Sequence, residues 1–165
     1  MSLNEMELRG PLIVGVIPRQ HPEVVAQAAF LAEQLERTII FAYVEPKSYL
    51  TEMNLTVRMT DLPVPPREIE EDMSADAAGI FAAIGALMVD SSATWILRIM
   101  GGEPWVALVR LADEARGSMF VVGTREANFG AYVSEFLKGA VAARLTAHQH
   151  RPVLVVPAAA RVRNP

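Results

Sequence analysis

Five short runs in this chain are apolar on both sides of the backbone, and stretches of helical pattern separate most of them. The first run is Pro11-Leu-Ile-Val-Gly-Val-Ile17. A strand with one wet face alternates apolar and polar residues. A run with no polar side reads instead as a strand covered on both faces, as in a parallel sheet. Thr38-Ile-Ile-Phe-Ala-Tyr-Val44, Ala93-Thr-Trp-Ile-Leu-Arg-Ile-Met100, Ser118-Met-Phe-Val-Val-Gly123 and Pro152-Val-Leu-Val-Val-Pro157 repeat the theme, rich in β-branched and aromatic residues.

Helices fill the gaps. Pro22 suits a first helical turn, and Val25, Ala28, Ala29, Ala32 and Leu35 follow at helical spacing. Ile69, Met73, Ala77, Ile80, Ile84, Leu87 and Met88 form the stripe of a long second helix. Glu68, Glu70, Glu71 and Asp72 lie near its positive end. Gly101-Gly102 turns the chain. Pro104 opens a third helix with Leu108, Leu111, Ala112 and Ala115 inside, and Gly117 stands where a left-handed stop is expected. A fourth helix covers about 139–149. Residues 46–66 have no period, and Pro63, Pro65 and Pro66 oppose regular structure. This stretch reads as a long mobile loop, a kind that often carries function. Five strands alternating with four helices define an α/β domain with a parallel sheet and right-handed crossovers.

At 165 residues the chain suits one domain, spanning 10–157 between flexible tails at 1–9 and 158–165. A hydrophobic share of 52% against 21% charged excludes a disordered chain. With no cysteine, a disulfide scaffold, an iron–sulfur centre, a thiolate zinc site and a cysteine nucleophile are all excluded. A net charge of −4 argues against nucleic acid as a partner. The N-terminus carries acids and no apolar run, so it is no secretory signal. No apolar stretch reaches the ~20 residues that span a bilayer. The expectation is a soluble cytoplasmic protein with no membrane contact.

In such sheets ligands bind beyond the carboxyl ends of the strands, where strand order reverses. The candidate places are Ile17–Gln20, Val44–Pro46 and the segment after Val122. The last reads Gly123-Thr-Arg-Glu-Ala-Asn-Phe-Gly130, with Gly139-Ala-Val141 opening a helix. A strand, a glycine-bearing loop and a helix N-terminus can make an anion site. The same glycines can equally serve tight turns.

Five pieces of sequence in this order carry a resemblance. They are Val14-Gly-Val16, Tyr43-Val-Glu-Pro46, Gly102-Glu-Pro104, Phe120-Val-Val-Gly-Thr124 and Arg151-Pro-Val-Leu-Val-Val-Pro157. Over roughly residues 10–157 the chain resembles the universal stress protein family. The resemblance implies a Rossmann-like fold of the adenine nucleotide alpha hydrolase-like kind: a five-stranded parallel sheet in the order 3-2-1-4-5 with helices on both faces. It implies a homodimer through the last strand, Pro152 to Pro157. Many members bind ATP. In these an Asp ending the first strand holds the nucleoside, and a glycine motif closing on Gly-Ser/Thr holds ribose and phosphates. On this chain the implied site runs along Val16, Ile17 and Pro18, past Val44, to Gly123, Thr124 and Arg125. It continues through Gly130 to Gly139, Ala140 and Val141.

The chain departs from that motif. Ile17 stands in the place of the Asp and accepts no hydrogen bond. Glu126 takes the second glycine's place, repulsive to a triphosphate. Gly139 lies sixteen residues after Gly123, farther than the motif spacing, and the hydroxyl position is Ala140. Each hydrogen bond lost to a charged group costs roughly 1.5–3 kcal/mol. Two or three such losses take a micromolar site to millimolar. Arg125, Lys138, Thr124 and Gly130 are the residues that could compensate. No bound cofactor is therefore the expectation, with ATP and AMP the ligands to test.

Other residues carry less. His148 and His150 are two apart, off the spacing of one helical face, and suit a helix C-terminus better than a metal. His21 sits at the crevice mouth as a solvated loop histidine or a ligand contact. Ser91, Ser92 and Ser134 have no triad partners, and neither a G-x-S-x-G elbow nor a phosphate loop is present. No catalytic or metal-ligating residue is named. Two functions follow. The first is a dimeric regulatory or stress-response module with a weakened or absent ATP site. The alternative is a nucleotide-binding protein with slow ATP hydrolysis or nucleotidyl transfer in the same crevice, using Glu126 or, less well placed, Glu45. A protein partner bound through 46–66 is a third reading.

Overall fold

A computed structural model describes residues 8–45, 55–58, 74–124 and 140–157, with 55–58 and Ala140 described through their backbone alone. Strand β1 (Leu12–Val16) is buried at all five positions. It pairs in parallel with β2 (Ile39–Glu45) on one side and β5 (Met119–Gly123) on the other. Beyond β2 lies β4 (Trp95–Gly101), and beyond β5 lies β6 (Val153–Val156), both parallel. The five parallel strands thus stand in the order 3-2-1-4-5, as the resemblance implied.

A sixth strand corrects the reading of 46–66. Residues Leu55–Arg58 form β3, antiparallel to β4, with Leu55 opposite Ile99 and Arg58 opposite Ile96. The physical reason is an edge: β4 would otherwise end the sheet with unpaired main-chain groups. Leu55-Thr-Val-Arg58 offers period-two alternation and β-branched residues. Four residues between irregular flanks are too short a signal against the prolines downstream. The rest of 46–66 lies outside the described residues.

Two helices cover each face. Helix α1 (Pro22–Leu35) and helix α2 (Ala75–Leu87) pack on the side of Leu12, Val14, Val16, Phe41 and Leu97. On that side Trp95 meets Phe41 edge to face, with centroids 5.8 Å apart. Helix α3 (Pro104–Ala115) and helix α4 (Ala140–His148) cover Ile13, Ile40, Ala42, Phe120 and Val122. Burying one such aliphatic or aromatic side chain is worth about 1.5–3 kcal/mol. These strands supply that on both sides, which is why they read as continuous apolar runs.

The second helix starts later than its stripe suggests. Ser74 is extended, and its Oγ accepts from Ala77 N at 3.2 Å, so the helix opens at Ala75. A serine cap outweighs the apolar period upstream of it. Ile69, Met73 and the acids at 68 and 70–72 lie outside the described residues. Carboxylate Glu33 ties α1 to the turn before β4, accepting from Ser91 Oγ at 2.6 Å and Ser92 N at 2.9 Å. The Ser91 hydroxyl, then the Ser92 N–H, hold that carboxyl below the usual range.

The stop of α3 is displaced by one residue. The left-handed position is Arg116, at φ 53°, whose N–H and that of Gly117 turn back to the last carbonyls. Gly117 is needed for a different reason. A Cβ there would stand 2.6 Å from Ile13 Cγ1, so the α3–β5 turn presses directly on β1. Arg151 pins the start of β6 to this turn, donating from Nε to Gly117 O and from Nη1 to Asp113 Oδ1, both at 2.8 Å.

Gly117→Ala is expected to cost about 1–3 kcal/mol through overpacking against Ile13. Arg116→Gly is expected to hold or raise stability by up to about 1 kcal/mol, because glycine enters the left-handed region without a Cβ clash. Denaturant midpoints at constant slope would read both; equal losses would contradict the assignment.

Candidate functional site

Every parallel strand ends on the same side of the sheet, and order reverses between β1 and β5. β1 stops at Val16 opposite Tyr43, two residues before β2 ends at Glu45. The space beyond the end of β1, at the reversal point, is the recess in which doubly wound sheets take ligands. The chain leaves the recess through a turn over Ile17–Gln20, closed by Gln20 N donating to Ile17 O at 3.2 Å. Pro18 takes its second position and Arg19 its third, at φ 57°, the sign a type II turn requires. A left-handed arginine costs roughly 1–2 kcal/mol. Local strain of this kind gathers at functional places.

The turn aims Gln20 across the recess. Its Oε1 accepts from Ile17 N at 3.2 Å. On its far side, a Cβ added to Gly123 would stand 2.9 Å from Gln20 Nε2 and 2.8 Å from Val24 Cγ2. The carboxamide therefore bridges the ends of β1 and β5 at the reversal point, and Gly123 is small because Gln20 and Val24 lie against it. Thr124 N donates to Val156 O at 2.8 Å, carrying the β5–β6 ladder one residue past Gly123.

Three sequence candidates bury their side chains in the cores. Val16 and Val44 are buried in opposite cores, and Val141, on α4, is buried in the same core as Val44. Ile17 and Pro18 are half-buried at the turn. Ala140 opens α4. Arg125, Gly130, Gly139, Glu126 and Lys138 lie outside the described residues. His21 is the N-cap of α1, its Nδ1 accepting from Glu23 N at 3.3 Å.

Sequence reasoning missed Gln20 as more than a boundary of the loop. A Pro-x-Gln after a strand was the only available signal, and it says nothing of a carboxamide folding back.

Tyr43 and Glu45 lie at the end of β2, and Glu103 follows β4. Burial first, then the charges of Glu45 and Asp76, push the Tyr43 hydroxyl up to about 12. Glu103, at the start of α3, accepts from Trp105 Nε1 at 2.7 Å and Arg144 Nη1 at 2.8 Å, linking α3 to α4. His148 stacks on Trp105 at 4.9 Å, and its Nδ1 lies 2.9 Å from Arg144 O, which requires the proton on Nδ1. Among the described residues no group of three or more His, Cys, Asp or Glu could hold a metal. None of the described helices is long and apolar enough to cross a membrane.

A doubly wound α/β domain with its recess at the strand reversal is the architecture of the nucleotide-binding α/β folds. The Universal stress protein family model matches residues 11–157, and the chain belongs to that family. Solved structures agree on the fold. A universal stress protein from Archaeoglobus fulgidus is 17% identical with a TM-score of 0.61, the match covering 92% of this chain and 96% of that one. The Archaeoglobus fulgidus protein in complex with dAMP is 17% identical, with a TM-score of 0.59 over 90% of this chain and 98% of that one. A universal stress protein in complex with cAMP is 19% identical, with a TM-score of 0.56 over 90% and 98%. No curated protein matches the chain.

The Tyr43 shift has a sign. Between pH ~10 and ~12 the unfolded chain loses the phenol proton while the folded one keeps it, so stability falls across that window. Denaturation midpoints at pH values below and within it should drop more in the natural protein than in Tyr43→Phe. Equal drops would remove the argument.

Proposed function

We propose that this chain is a dimeric regulatory module of the stress-response type, which binds a nucleotide weakly or not at all and does not turn it over. The observation that carries the weak site is the use of the recess's own donors. Ile17 N is taken by Gln20 Oε1 and Thr124 N by Val156 O. A ligand arriving there must displace a satisfied contact rather than fill an open one, and this adds to the Ile17 and Ala140 departures. That relatives were solved with dAMP and cAMP supports asking the question of this crevice. ATP is the weak ligand in this reading and AMP its smaller counterpart. A protein partner bound through 46–66 carries no supporting observation among the described residues.

The dimer is proposed through β6. It closes the sheet on one side, and its Val155 is 40% exposed. A short edge of valines and leucine invites pairing with an identical edge about a two-fold axis.

Calorimetry with magnesium and ATP is expected to give a dissociation constant near millimolar; a micromolar value overturns the weak site. Sedimentation at about 10 μM is expected to show a dimer that Val155→Lys splits, since a cation at an edge opposes pairing. A monomeric natural protein would remove the dimer.

A further inference from the structure

Of the 13 residues of α2 only Asp76 is polar. Ala77, Ile80 and Ile84 serve the core. The outward side, with Gly79, Ala82, Ala83 and Ala86, is exposed and equally apolar. Surface helices carry charge on that side, and a helix apolar all round belongs in an interior. Leu87 is 44% exposed, Val89 76%, and Phe30 on the neighbouring α1 57%. Both helices pack on one side of the sheet and touch, tied by Glu33 to Ser91. Phe30 and Leu87 each stand about one helical turn before that tie. The outer surface of this layer is thus an apolar patch of the kind that marks an interaction site.

A glycine inside a helix is a cost that needs a reason. Among the described residues, nothing packed against α2 stands within 4 Å of where a Cβ on Gly79 would be. Internal packing does not ask for a glycine there, whereas a body approaching closely from outside does. The charge around the patch has one sign. From Gln20 to Glu36 and from Ser74 to Leu97 there is no lysine or arginine, while Glu23, Glu36, Asp76 and Asp90 are exposed. Two copies set face to face here would bring like charges together. On the other layer Arg144 meets Glu103 and Arg151 meets Asp113 at 2.8 Å, and Arg98 meets Glu114 at 3.4 Å. Those arginines are already paired, so that layer of a second copy is a poor complement. The same acids repel an anionic lipid surface.

We propose that the α1–α2 face docks an amphipathic helix of another protein, its apolar ridge against Phe30, Gly79, Ala83 and Leu87 and its lysines or arginines against the flanking acids. This does not rest on what the recess binds or on pairing through β6.

The probe is a synthetic helix of about 18 residues, with leucines and alanines along one side and lysines flanking them. Its controls carry glutamates for the lysines, or the same composition in scrambled order. Calorimetry on the full chain at low salt is expected to give a dissociation constant of about 10–100 μM for the lysine helix, and binding about tenfold weaker or worse for both controls. Affinity is expected to fall several-fold between about 50 and 300 mM salt, because exposed charges are screened. Gly79→Leu is the discriminating variant. Leucine is the better helix former, so the denaturation midpoint is expected to hold or rise, while the filled approach weakens the lysine helix by about tenfold or more. Val106→Ser, on α3, is expected to leave binding within about twofold. A natural protein that does not take the lysine helix overturns the proposal, as does a Gly79→Leu affinity within about twofold of the natural one. Two other occupants would overturn it as well: a dimer in sedimentation that Gly79→Leu splits, which puts a second copy on the face, and adsorption to phosphatidylcholine–phosphatidylserine vesicles that Gly79→Leu abolishes.

Discussion

The structure depends on β1 being covered on both faces. All five of its residues are buried, three facing the α1–α2 layer or β-sheet core beside it and Ile13 facing α3 and α4. A strand so placed cannot be an edge, and it cannot leave a face to water without exposing a row of valines and leucines. Helices must therefore return over both sides, and the sheet must extend from the first strand in both directions, toward β2 and toward β5. The recess at the reversal is a consequence of that constraint, not an added feature.

What the recess holds follows from a shorter-range balance. A buried backbone N–H must find an acceptor. At the end of β1 the Ile17 N–H finds one in its own turn, through Gln20. At the end of β5 the Thr124 N–H finds one in β6. The N–H groups at the ends of β1 and β5 are thus both satisfied within the fold.

The elements were legible in the sequence to the extent that burial or local caps specify them. All five parallel strands could be placed because two-sided burial writes an unbroken apolar run. Pro22 and Pro104 marked helix starts because proline has a fixed φ and no N–H to lose. Where two signals competed, the sequence misled. The apolar stripe from Ile69 masked the Ser74 cap. Gly117 was read as a left-handed stop, although Arg116 takes that conformation and Gly117 answers to Ile13, more than a hundred residues away in the chain. β3 went unread because four residues gain strand character only when a neighbouring edge supplies partners.

By itself the sequence determined the layer architecture, the family, and the departures at Ile17, Glu126 and Ala140, since each of these is a matter of residue type at a position along the chain. Only the tertiary structure decided that Gln20 faces Gly123, that an antiparallel strand covers β4, and that Val16 and Val44 turn their side chains into opposite cores. Those are distances across strands. A pairing register or a carboxamide's orientation comes from partners remote in sequence, which leave no mark on the local pattern that reading along the chain can see.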